Sequence, residues 1–218
     1  KKKFWKSKID HVVCISNWLK DSANRSNLFK KHEISFIPCA LDTREWKPVN
    51  QIKAREMLKL PKDKIILLFM STNGTKDYRK GFIFIKSALE YLLKFHNDII
   101  LLNLGKNSSI TNENNNIINV NNSFNGEPKS LKMYYSASDI LLTPSTLEAL
   151  GQVATEAASC GVPAIGFKQT GLADAIVHRK TGYLSDYLNQ NDFNNGLNWM
   201  IEQIKKDRAY FKAQCQDF

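Results

Sequence analysis

The sequence predicts an α/β fold, a twisted, mainly parallel sheet of Rossmann-like form with helices on both faces. Apolar runs of strand length alternate with helical segments along most of the chain, the order that a parallel sheet with crossover helices requires. Two of these runs lie at 64–70 and 98–105, and the first, Lys64-Ile65-Ile66-Leu67-Leu68-Phe69-Met70, is apolar and uninterrupted, as a parallel strand covered on both faces is. A third, Ile140-Leu141-Leu142, ends in Pro144-Ser145-Thr146 before a small-residue helix that runs from Gly151 to a stop at Gly161.

In chain order, residues 11–16 form a short strand, and Ser16 or Asn17 caps a helix over 17–29. A strand over 34–38 follows, then a helix over 51–60 that ends at Pro61, and the apolar strand over 64–70. The loop 71–81 carries Lys76, Arg79 and Lys80 and precedes a periodic helix over 82–95. The strand over 98–105 leads to the asparagine-rich 111–116, a surface loop, and then to a strand over 117–120, a loop over 121–127 and a helix over 129–138. Beyond the small-residue helix come a strand over 162–167, a turn at Thr170-Gly171-Leu172 and an edge strand over 181–184. Residues 192–206 close the pattern as an amphipathic helix with Phe193, Leu197, Met200, Ile201 and Ile204 on one face.

A formal net charge of +10 favours anionic partners, whether nucleotides, nucleic acid or an acidic membrane face. Nucleic acid ranks lowest, because the lysines lack interleaved aromatic platforms. Five of the first eight residues are lysine, a patch that reads equally as a solvated end or as a contact with anionic lipid. With no apolar run of membrane-spanning length and no secretory signal, a cytoplasmic protein is expected, with peripheral contact at the inner membrane face as a further expectation. Cys14, Cys39, Cys160 and Cys215 are far apart, and the four histidines are scattered, so no metal site is expected. Cys14 and Cys39 lie in apolar runs and read as small buried hydrophobes. The chain has neither a Gly-x-Gly-x-x-Gly after a strand nor a Walker loop, which argues against a dinucleotide oxidoreductase.

Glu148 and Glu156 stand eight residues apart, one in the loop and one inside the helix, with Gly151 between them. The amides of residues 149–153, at a helix N-terminus, suit phosphate, and ionised carboxylates accept from sugar or ribose hydroxyls. The residues alone leave a second reading open, in which Glu148 caps the helix and Glu156 is a solvated surface charge.

Pro144-Ser145, Glu148, Gly151, Glu156-Ala157, Gly161 and Val162-Pro163, followed by Thr170-Gly171 and Thr181-Gly182-Tyr183-Leu184, resemble the donor domain of retaining glycosyltransferases of family four, with the two-domain GT-B fold. The likeness runs from about Ile34 to Trp199. It implies that Glu148 lies by the donor sugar and Glu156 by the ribose, and that Arg79 and Lys80, in an Arg-Lys-Gly triplet, bind the donor phosphates and stabilise the departing nucleotide. Further donor contacts are expected at Thr146, Leu150, Gly151, Gln152, Val153 and Gly105. The loop 121–127 is expected to meet the nucleobase, with Phe124 either a stacking face or a core anchor. The family often has another arginine where this chain has Gly74; either Lys76 substitutes for it or fewer cations suffice.

Residues 40–48 resemble the family's interdomain linker, with Cys39-Ala40 in place of asparagine-glycine. Residues 1–38 are then a remnant of the N-terminal acceptor domain, 39–50 the linker and 51–218 the donor domain. The implied activity is retaining, hexosyl-type transfer from a nucleotide diphosphate sugar to a glycan or lipid-linked acceptor in polysaccharide biosynthesis. No metal cofactor is implied, and the chain alone is expected to be inactive. A GT-B sugar-nucleotide epimerase and a non-catalytic sugar-nucleotide-binding module are the alternatives.

Overall fold

The computed structural model describes residues 9–105, 116–120 and 128–217, without the side chains of Pro128 and Gln216. His11–Cys14 (β1) and Glu33–Phe36 (β2) pair in parallel, with Asn17–Arg25 (α1) between them in sequence. Ser16 caps α1, its hydroxyl accepting from the Leu19 N–H at 3.1 Å. The helix stops at Arg25 rather than running to Phe29: the Ser26 backbone is extended, and its hydroxyl accepts from the Leu28 N–H at 3.1 Å, offering the chain an alternative to another helical turn. Cys14 is buried as expected, whereas Cys39 is exposed. β2 ends at Phe36 and Pro38 has no N–H for a ladder, so the chain has left the sheet before Cys39.

The main body follows as Gln51–Met57 (α2), Ile65–Met70 (β3), Phe82–Leu92 (α3), Ile99–Leu104 (β4), Ile117–Val120 (β5), Pro128–Ala137 (α4), Ile140–Thr143 (β6), Gln152–Ser159 (α5), Ala164–Phe167 (β7), Gly182–Ser185 (β8), Gln190–Lys206 (α6) and Arg208–Gln216 (α7). Its six strands form one parallel sheet in the order β5-β4-β3-β6-β7-β8. The uninterrupted apolar runs serve two cores. Ile66, Leu68, Leu102 and Leu141 point to the face covered by α2, α4 and α5, with Ala54, Tyr135 and Ala157. Ile65, Leu67, Phe69, Leu101 and Leu142 point to the opposite face, covered by α3 and α6, with Ile85, Leu92, Phe193 and Met200. The expected face of α6 is buried as read, and β8 is an edge.

Helix α7 was not expected from the sequence. Asp207 starts it, its carboxylate accepting from the Ala209 N–H at 2.9 Å, and Phe211 and Cys215, four residues apart, are its buried side. These are a cap and an apolar pair, signals that the sequence does contain.

A buried ion pair joins the base of the sheet. Arg55 and Asp139 are each 1% exposed at the side chain, with Nη2 2.7 Å from Oδ2. The same Oδ2 accepts from the Ile66 N–H at 2.8 Å, while Oδ1 accepts from Gln51 at 3.1 Å and lies 3.3 Å from Arg208 Nε. Arg55 also donates to the carbonyls of Ala137, Lys62 and Lys64, each at 2.9 Å. Burial pulls the Arg55 guanidinium below its ordinary pKa, and the Asp139 charge opposes that shift. Removing one member leaves the other charged and unpaired in the interior, so Asp139→Ala should cost about 3–5 kcal/mol. Urea unfolding should show that loss, whereas Arg44→Ala, in the exposed pair with Asp42, should stay within about 0.5 kcal/mol of the parent.

Candidate active site

The chain runs outward from β3 through β4 to β5, then returns to place β6 on the other side of β3. The C-terminal ends of β3 and β6 therefore flank a topological switch point, where open α/β sheets form their ligand crevice. The two loops singled out in the sequence, 71–81 and 144–151, leave these two strands.

They are stitched together. The Thr146 N–H donates to the Arg79 carbonyl at 2.8 Å, and the Tyr187 hydroxyl donates to the Thr146 carbonyl at 2.9 Å. Gly81 adopts left-handed backbone, φ +67°, and a Cβ there would stand 1.9 Å from the Pro144 carbonyl oxygen. The glycine of the Arg-Lys-Gly triplet is thus a contact between the loops. Lys80 Nζ lies 2.8 Å from Glu148 Oε2, both side chains partly buried. Arg79 is more exposed and grips Asp77 with Nε and Nη2 at 3.0 and 2.9 Å. That grip holds the Asp77 carboxyl below the usual carboxylate range. Lys76 is exposed, with no ion-pair partner among the described residues, and Gly74 is buried with its N–H on the Ser71 carbonyl.

Gly151, at φ +86°, begins α5, and Leu172 packs over it, so that a Cβ there would meet Leu172 Cδ2 at 2.4 Å. Leu150 is buried, Gln152 exposed and Val153 partly buried; their amides belong to the end of a helix that lacks internal acceptors. Glu156 is buried, so its alternative reading as a solvated surface charge is set aside. Its Oε2 accepts from the Tyr135 hydroxyl at 2.8 Å, a partner that sequence reasoning missed. Burial pushes the Glu156 carboxyl above the ordinary range, against a lowering by that hydrogen bond. Gly105 follows β4, its N–H on the Val120 carbonyl at 3.4 Å, while Phe124 lies outside the described residues. Among the described residues no three His, Cys, Asp or Glu side chains converge as a metal site, and no helix is long and apolar enough to cross a membrane.

Residues 50–216 match the family model described as glycosyl transferases group 1. The chain belongs to this family. This group 1 glycosyltransferase chain is 41% identical over 56 residues to a D-inositol 3-phosphate glycosyltransferase of Pseudarthrobacter chlorophenolicus, over 26% of this chain and 13% of the relative. Sucrose-phosphate synthase from Thermosynechococcus elongatus superposes with TM-score 0.79 at 24% identity, over 99% of this chain and 53% of that one. Anabaena HepE in complex with UDP superposes with TM-score 0.75 at 17% identity, over 99% of this chain and 60% of that one. These likenesses give the fold, which is that of the GT-B glycosyltransferases, and the chain spans only about half to three fifths of either solved protein.

Because burial raises the Glu156 pKa, its ionised form opposes folding at neutral pH. Native protein then gains stability as pH falls through the raised folded pKa, until the ordinary carboxylate range is reached. Glu156→Gln, which can still accept from Tyr135, should therefore melt higher than the parent at pH 7, with the difference closing toward about pH 4.3 in a thermal-denaturation series.

Proposed function

We propose that this chain is the donor-binding half of a retaining glycosyltransferase that moves a sugar from a nucleotide diphosphate sugar to a glycan or lipid-linked acceptor. The observation that carries the reading is the Lys80–Glu148 pair, 2.8 Å apart where two loops meet at the sheet's switch point. An ammonium has three donors, so Lys80 can keep Glu148 and still reach phosphate oxygen. Arg79 has its Nε and Nη2 on Asp77 and its Nη1 available for a second phosphate oxygen.

As the glycosidic bond breaks, Lys80, Arg79 and the amides at the start of α5 offset charge developing on the departing diphosphate, without a metal. Glu148 accepts from donor sugar hydroxyls and Glu156 from the ribose, Tyr135 fixing the position of the Glu156 carboxylate. The Anabaena neighbour's complex with UDP supports uridine as the first base to test.

Glu156→Ala should weaken UDP binding by about tenfold to a hundredfold in calorimetry, the worth of one or two charge-assisted hydrogen bonds. Unchanged affinity would remove Glu156 from the ribose site. Glu148→Ala should instead slow nucleotide release from the sugar nucleotide in the assembled enzyme by about a hundredfold, with a much smaller loss of donor affinity. An equal loss in both would make Glu148 a simple binding group.

A further inference from the structure

Asp174 ends the short 3-10 turn Gly171–Asp174, and its carboxylate meets a residue 157 positions away in the chain. It accepts from the Asn17 backbone N–H at 2.8 Å and from the Asn17 side-chain amide at 2.7 Å. Asn17 is the first residue of α1, so its N–H is one that the helix cannot satisfy internally, and the positive helix end favours a carboxylate there. Ser16 already uses its hydroxyl on Leu19.

The other end of the same turn holds the candidate active site. The Gly171 N–H donates to the Glu148 carbonyl at 2.9 Å, and Leu172, fully buried, lies over Gly151. Thr170 locks the turn, its hydroxyl donating to the Phe167 carbonyl at 3.1 Å and accepting from the Leu172 N–H at 3.3 Å. One stiff turn therefore joins the start of α1 to segment 148–151.

We propose that Asp174 is a positioning residue of the donor site: through Gly171 and Leu172 it sets segment 148–151 by the position of α1, so that nucleotide binding and placement of the β1–α1–β2 unit are coupled. The proposal rests on the donor-site reading above. Two charge-assisted bonds to one residue fix direction as well as distance. Such coupling is reciprocal, so bound nucleotide must tighten the Asn17–Asp174 contact as much as that contact favours nucleotide.

Calorimetric titration of UDP into the 218-residue chain, with hydrogen exchange followed at the Asn17 amide, tests this. Saturating UDP should slow exchange at Asn17 in the parent. Asp174→Ala, and Asp174→Asn, which keeps the side-chain shape, should bind UDP about fivefold or more weakly and lose that slowing. A residue that only stabilises the fold would lower the melting temperature of the variants and leave the affinity of folded protein unchanged. Parental UDP affinity in folded Asp174→Asn, or an Asn17 amide indifferent to UDP in the parent, overturns the proposal. A parent chain that binds none of UDP, GDP and ADP overturns the donor-site reading itself, and the coupling with it.

Discussion

Asp139 stands at the start of β6 with its carboxylate in the interior, accepting from Arg55, Gln51 and the Ile66 backbone. β6 is the strand at which the chain comes back to the middle of the sheet, so nothing in sequence proximity sets its register against β3. A buried charge does so well, because a carboxylate displaced by even one residue would lose its partners and keep its desolvation cost. The Asp139 N–H also donates to the Ile66 carbonyl at 2.8 Å, closing the join from both sides. The parallel register that results pairs Leu67 with Ile140 and Phe69 with Leu142.

Once that register is fixed at the base, the opposite ends of β3 and β6 must meet. Gly81 against the Pro144 carbonyl, and Thr146 bonded to the Arg79 carbonyl, are its consequences there. Lys80 and Glu148, 68 residues apart in the chain, then have little choice but to face each other. The ion pair at the candidate site is thus set by backbone contacts, which hold far better than two long charged side chains hold one another.

Much of this was readable because the signals are local. The apolar runs of β3 and β4, the amphipathic α6 and the Gly151 start of α5 each declare themselves within a few residues, and Glu148, Glu156, Arg79 and Lys80 lie in short motifs. The misreadings share a different cause. The stop of α1 depends on one Ser26 hydroxyl, and α7 on a single cap and two buried side chains, too little periodicity to stand out. Cys39 is apolar in context but follows a proline that takes it out of the sheet. The pairings Lys80–Glu148, Tyr135–Glu156 and Asn17–Asp174 come from strand order and the packing of helices on the sheet, which no local window contains.

The charge of the site also differs in kind from the charge of the chain. A net +10 suggests a strongly positive surface, yet two of the three cations in the loop after β3 are already matched, Arg79 by Asp77 and Lys80 by Glu148. A diphosphate arriving there, as proposed above, meets cations that are aimed rather than merely plentiful. The two-point grip of Asp77 orients Arg79, and the backbone contacts between the loops bring Lys80 to Glu148, so less rotamer freedom is lost when phosphate binds. Electrostatic stabilisation of a leaving group gains most from such prior orientation, because the dipoles need no rearrangement as charge develops. Asp77, an unremarked residue between Lys76 and Tyr78 in the sequence, is on this view as much a part of the site as the arginine it holds.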